Sequence, residues 1–235
     1  MDFLQCRSRF EQHSSSRIEE GSIIRCGRKC QLTGKETQAM IDKTVRVLFT
    51  GGGSGGPTIP LLALAQEIRG LKKNSEFLFL GSKFGPERKM VEQAEIPFST
   101  IPSGKLRRYW NWRNFIDPLY ILGGGVTGLI YLLSFRPQVI VSAGSFVSVP
   151  VAYAAWFLRI PLLIMQMDLR SGLANRLIAP VSSALVFYFD STASQFPSIS
   201  LKRKICPVVR QEIYSASAKR ANERFGLHPE RPLIL

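Results

Sequence analysis

VRVLFT-GGGSGG-PTIPLLALAQEIRGL, residues 45–71, decides the fold. A short β-branched and aromatic run ends in five glycines within six residues. Apolar residues at helical spacing follow. Pro60 stands near the start of that helix, where a missing N–H leaves no bond unmade. Strand, glycine loop and helix form a βα unit, and the pattern recurs downstream. FLFLGS (77–82) is a second apolar run. IPFSTIPSG (96–104) reads as a short strand with proline near both ends, and QVIVSAGS (138–145) as a strand running into small residues. A helix over 150–158, strand PLLIM (161–165), a helix over 171–179 and strand ALVFYF (184–189) complete the series. Short apolar runs alternating with helices predict an α/β fold with a mostly parallel sheet covered on both faces.

The 235 residues suit one large domain or two small ones. With 45% hydrophobic and 20% charged residues, the chain is no disordered protein. Four cysteines are too few for a disulfide scaffold. Residues 1–44 differ from the rest. They hold Cys6, Cys26 and Cys30, a serine cluster (Ser14, Ser15, Ser16) and no sustained periodicity. They read as a disordered leader or as an over-long start ahead of Met40. Cys26 and Cys30 have no second pair at zinc-site spacing. No spacing in the chain suggests a metal or a covalent cofactor. The net charge is +14. Residues 1–44 hold eight of the 31 basic and six of the 17 acidic side chains, which leaves 23 against 11 for the rest. The excess belongs to the folded part and asks for an anionic partner.

Gly51, Gly53 and Gly56 satisfy G-x-G-x-x-G, with Gly52, Ser54 and Gly55 between them. Glycines let backbone approach a phosphate, and the following helix supplies N–H groups and partial positive charge. The alternative is a tight turn with no ligand. A nicotinamide-dinucleotide site wants an acid about 20 residues on, at the end of the second strand. Lys72 and Lys73 stand there, and the strand ends Gly81-Ser82-Lys83. A nucleotide-binding P-loop wants Lys-Ser/Thr after the last glycine, where Pro57-Thr58 stands. Gly144-Ser145-Phe146-Val147-Ser148-Val149-Pro150 repeats the design. Two such loops can face one crevice and hold a diphosphate, or they are two ordinary turns.

Residues 105–135 carry most of the partner information. Lys105, Arg107, Arg108 and Arg113 interleave with Tyr109, Trp110 and Trp112. Cations beside aromatic rings suit an anionic headgroup interface. Leu119–Phe135 is an uncharged stretch at the lower length limit for a membrane span. It reads as a core-packed helix with one exposed apolar edge, a helix dipping into one leaflet, or a span. Single-stranded nucleic acid could stack on such rings, but no nucleic-acid-binding motif accompanies them, so no nucleic acid is expected. Lys202-Arg203-Lys204 reads as a solvated turn.

GGGSGGPTIPLLALA, SAGSFVSVPVAYAAW and IPLLIMQMDLRSGLANRL, in that order, resemble the N-terminal domain of the MurG family. These are undecaprenyl-diphospho-muramoylpentapeptide β-N-acetylglucosaminyltransferases of the GT-B fold. The resemblance covers about 45–235. It implies a Rossmann-like three-layer parallel sheet, the N-terminal half of GT-B. It also implies transfer of GlcNAc from UDP-GlcNAc to a polyprenyl-diphosphate-linked sugar such as lipid I, at the cytoplasmic face of an anionic membrane. By the resemblance, Gly51–Gly56 and Gly144, Ser145, Phe146 and Ser148 contact the acceptor diphosphate. Arg210, in CPVVR, matches the arginine just before the domain linker. Residues 45–225 would be the acceptor domain, and 226–235 the linker and first strand of a donor domain.

The chain departs from the pattern after the first loop and throughout the family's H-E-Q-N segment. Pro57 replaces the histidine after the first loop. The family's H-E-Q-N reads Met165-Gln166-Met167-Asp168, and Gln166 cannot take a proton. Of these positions Asp168 alone can serve as the base that deprotonates an acceptor hydroxyl; otherwise it is a loop or helix-cap residue. Asn175 matches the family and reads as a brace of its helix. The departures keep two other readings open. One is the acceptor subunit of a split GlcNAc transferase with a separate donor chain, as in the eukaryotic dolichol pathway. The other is a non-catalytic lipid-diphosphate binder.

Overall fold

The structure, a computed structural model, describes residues 44–53, 55–72, 74–83, 85–102, 117–208, 224 and 226, the side chains of 117–122 aside. Residues 1–43, Ser54, the basic-aromatic segment with Lys105, Arg107, Arg108, Trp110, Trp112 and Arg113, then Arg210, and residues 227–235 lie outside the described residues.

Strand β1 (Val45–Thr50) leads through the first glycine loop to helix α1 (Gly55–Leu71). There follow β2 (Ser75–Gly81), α2 (Glu87–Gln93), β3 (Phe98–Thr100), α3 (Asp117–Phe135) and β4 (Val139–Ser142). Then come α4 (Ser148–Phe157), β5 (Leu162–Gln166), α5 (Leu173–Ile178), β6 (Ala184–Phe187), α6 (Asp190–Ala193) and β7 (Leu201–Lys204). The strands form one seven-stranded sheet in the order β3-β2-β1-β4-β5-β6-β7. Every pairing is parallel. The chain winds outward from β1 to β3, then returns to β4 on the other side of β1. The order therefore reverses between β1 and β4, where open α/β sheets bind ligands.

Strand alternation splits the core into two layers. Val47 and Phe49 point to one face, with Phe77, Phe79, Leu61 and Ala65 of α1 and Val91 of α2. Leu48, Leu78 and Leu80 point to the other, with Leu132 of α3, Val151 and Ala155 of α4 and Ile178 of α5. Helices thus cover both faces, as right-handed crossovers require when the winding direction reverses. Burying each such aromatic or aliphatic side chain stabilises the sheet by about 1.5–3 kcal/mol.

Lys202-Arg203-Lys204 is not a turn. It is most of edge strand β7, paired with β6 from Leu185↔Lys202 to Phe187↔Lys204. Three cations on an edge discourage pairing with another chain. Lys204 also reaches Asp190 of α6, and the Lys202 ammonium donates to the Ala193 carbonyl at 3.0 Å.

Helix α3 is apolar nearly all round, yet it has two sides. Gly124, Gly128 and Leu132 form a buried stripe at i, i+4, i+8. A Cβ on Gly128 would touch the Val151 backbone, so the glycine lets α3 lie close to α4. Val126, Ile130 and Leu133 face outward, each more than half exposed. This matches the core-packed reading with an exposed apolar edge. Among the described residues no helix is long and apolar enough to cross a membrane.

Candidate functional site

Both glycine loops leave the carboxyl ends of adjacent strands, where Thr50 pairs with Ser142. Their backbones nearly touch. A Cβ on Gly51 would lie 3.6 Å from the Gly144 carbonyl oxygen, and one on Gly53 would lie 3.9 Å from Ser145 Oγ. The Thr50 hydroxyl donates to Ser148 Oγ at 3.4 Å, and both side chains are fully buried. Ser148 therefore ties one loop to the other from within.

Positive φ angles mark the loops: Gly52 at 153°, Gly53 at 82°, Gly144 at 86° and Ser145 at 135°. Gly144 is required on two counts, since a Cβ there would also press on the Asn175 side chain at 2.9–3.1 Å. Ser145 holds its angle without being glycine, which stores backbone strain in the loop. In the second loop the Gly144 N–H donates to Ser142 Oγ at 3.2 Å, and the Val147 N–H to Ser145 Oγ at 3.5 Å. Helix α4 begins directly behind, and its N-terminal dipole favours negative charge.

Gln166 ends β5 and is buried. Its amide group donates to the carbonyls of Asp168 (3.0 Å) and Arg170 (3.3 Å). Its Oε1 must therefore be the acceptor, and Asn175 Nδ2 donates to it at 2.6 Å. That orientation turns Asn175 Oδ1 toward Gly144, where it is buried without a hydrogen-bond partner. Gln195 adds two bonds to the same turn, accepting from the Ser171 N–H (2.9 Å) and donating to the Leu169 carbonyl (2.8 Å). Asp168 is thus an exposed side chain on a backbone pinned from several sides. Gln166 does not face the crevice as a reactive group; it holds the turn that carries Asp168.

The residue that sequence reading passed over is Glu87. The dinucleotide spacing asks for an acid soon after β2. The fold delivers one from the first turn of α2 instead. Glu87 Oε1 accepts from the N–H groups of Ser82 (3.0 Å) and Gly53 (3.3 Å) and from the Ser82 hydroxyl. Burial works to raise its pKa, but the Ser82 hydroxyl and the N–H groups of Glu87, Ser82 and Gly53 outweigh it. The carboxyl is held below the ordinary glutamate value. A prolyl N-terminus to the helix, Gly85-Pro86-Glu87, is the local signal that an acid could start α2 there.

Among the described residues no group of three or more His, Cys, Asp or Glu could hold a metal ion. The arrangement suits an anion or sugar phosphate held by backbone, with the exposed Asp168 on the turn that follows the adjacent strand β5.

The model of the glycosyltransferase family 28 N-terminal domain matches residues 47–185. A UDP-N-acetylglucosamine–N-acetylmuramyl-(pentapeptide) pyrophosphoryl-undecaprenol N-acetylglucosamine transferase of Bacillus thuringiensis (strain Al Hakam) is 33% identical, over 80% of this chain and 53% of its own length. An enzyme of the same name from Legionella pneumophila (strain Lens) is 34% identical, over 80% of this chain and 52% of its own. The crystal structure of Acinetobacter baumannii MurG superposes with a TM-score of 0.58 at 23% identity, covering 77% of this chain and 53% of that one. Anabaena HepE in complex with UDP and glucose gives 0.52 at 16% identity, over 77% and 50%. At these identities the structural likeness is one of fold, and it is the N-terminal half of GT-B that the sheet reproduces. The chain spans about half the length of the curated relatives it matches. Through this N-terminal domain, the chain belongs to glycosyltransferase family 28.

Proposed function

We propose that residues 45–225 form the acceptor half of an inverting GlcNAc transferase. The acceptor is a polyprenyl-diphosphate-linked sugar of the lipid I class, and the donor is UDP-GlcNAc. One observation carries this reading: two glycine loops, bridged by Thr50 and Ser148, meet at the strand-order reversal. The diphosphate would lie across Gly51–Gly56 and Gly144–Phe146, with its charge toward α4. The amides of Gly144 and Val147 now spend their hydrogens on serine hydroxyls at long range. A phosphate oxygen is a stronger acceptor and can replace those hydroxyls. The names of the relatives support the ligand class.

In the proposed reaction the acceptor hydroxyl attacks the anomeric carbon of the donor sugar. Asp168 takes its proton, and UDP leaves with the bonding pair from the opposite face. The donor would be held mainly by a second domain, in the same chain or in a separate one, with Arg210 near the junction. In a complete enzyme, Asp168→Asn should lower turnover by about 100-fold or more, the usual contribution of a positioned base. Unchanged turnover would refute the assignment.

The domain would work peripherally at the cytoplasmic face of a membrane. Supporting this, Val126 of α3 and Phe157 of α4, both more than half exposed, line one apolar groove between the two helices with Leu129 and Pro150. The cations Lys105, Arg107, Arg108 and Arg113 precede α3 in sequence, with Trp110 and Trp112. The chain is expected to sediment with anionic vesicles at low salt and to be released by added salt. Absence of binding at low salt would refute membrane contact.

A further inference from the structure

The first glycine loop is held from below by a carboxylate that belongs to no glycine-loop motif. Glu87 is fully buried, although its residue type is seldom buried without a role. Oε1 gathers three donors from two loops, the Gly53 N–H after β1 and the N–H and hydroxyl of Ser82 after β2. Oε2 is buried with no hydrogen-bond partner. The neighbouring glycines accommodate this carboxylate. A Cβ on Gly52 or on Gly85 would overlap it. Part of the glycine content of the first loop is therefore demanded from inside the protein, not by a ligand. A charged acceptor holds amide donors more strongly than a neutral one, so a single side chain can fix the loop's left-handed turn at Gly52 and Gly53.

We propose that Glu87 is the positioning residue of the candidate site: by clamping Gly53 and Ser82 together it holds the first glycine loop in its ligand-facing conformation. The ligand side of this claim rests on the function proposed above; the loop side does not.

The test uses the 235-residue chain with Glu87→Ala and Glu87→Gln. Hydrogen exchange is followed by mass spectrometry in peptides containing Gly53 and Ser82. Affinity for farnesyl diphosphate, a soluble prenyl diphosphate, is measured alongside. Glu87→Ala should speed exchange in those peptides about tenfold or more, leave β4, β5 and β6 unchanged, and weaken farnesyl diphosphate about tenfold. Glu87→Gln keeps an acceptor oxygen in place but loses the charge, so it should be perturbed clearly less than Glu87→Ala, by about threefold relative to the parent on both readouts. A residue serving only global stability would alter exchange throughout the sheet. Where Glu87→Ala does not fold, Glu87→Asp replaces it, since its carboxylate falls about 1.5 Å short of both loops and should loosen the same peptides. Parental exchange rates in the truncated variants would overturn the proposal, and so would a Glu87→Gln variant as perturbed as Glu87→Ala. If the parent chain itself fails to bind farnesyl diphosphate, the proposed function fails, and the exchange comparison still decides the role of Glu87.

Discussion

Substituting Gly144 by alanine tests whether the second loop and the Gln166–Asn175 pair form one unit. The residue sits at φ +86°, where an L side chain costs about 1–2 kcal/mol. Its new Cβ would also stand 2.9 Å from Asn175 Oδ1 and 3.0 Å from Nδ2. Asn175 has to retreat, and its 2.6 Å bond to Gln166 is lost or stretched. Leaving buried amide groups unpaired costs about 1–3 kcal/mol more. The total is about 2–5 kcal/mol, which lowers Tm by roughly 5–15 °C in a domain of this size. Urea and thermal melts followed by circular dichroism measure it. Gly123→Ala is the control. It lies in α3, has open space where the Cβ would go, and should stabilise by about 0.5–1 kcal/mol through helix propensity alone. A Gly144→Ala protein within about 0.5 kcal/mol of the parent would refute the coupling between loop and amide pair.

Ser145→Gly should relieve the strain at φ +135° and stabilise by about 1 kcal/mol, less the weak Val147 bond; urea melts check this. Gln166→Glu removes the donors to the Asp168 and Arg170 carbonyls and should cost about 2–4 kcal/mol at neutral pH. The new carboxyl would be buried against carbonyls, so its native pKa is raised. Its penalty should be small below the unfolded glutamate pKa and grow as pH rises toward the native one, seen as a widening gap from the parent in melts at rising pH. Glu87 has the opposite sign. Its native pKa is lowered, so its stabilisation is intact above the unfolded glutamate pKa and lost as pH falls through the native value. Acid-side melts of parent and Glu87→Gln should therefore converge.

The sheet was legible because its strands are short apolar runs that the helical spacing of α1 and α4 does not share. The two loops were legible because few residues other than glycine accept their angles. Strand β7 was not, since Leu-Lys-Arg-Lys has one apolar residue and an edge strand needs only one neighbour to pair with. Helix α1 starts at Gly55, upstream of where the apolar spacing places it, so Pro60 falls past the first turn, inside the helix, where its missing N–H does cost a helical hydrogen bond. At the site, sequence shows that Gln166 cannot be a base. It does not show what the amide does, because the partners are backbone carbonyls two and four residues away. Glu87 was hidden for a different reason. Its place beside Gly53 comes from the pairing of β1 with β2 and the return of α2, which residue spacing does not encode.

In the proposed function the crevice between the loops binds a prenyl-diphosphate-linked sugar. Titrating the 235-residue chain with lipid I in detergent micelles, by calorimetry, tests it directly. Binding should be saturable, displaced by a prenyl diphosphate and not by a prenyl monophosphate, and weakened by Gly144→Ala. No binding, or binding that prenyl mono- and diphosphate displace equally well, would contradict the proposed function.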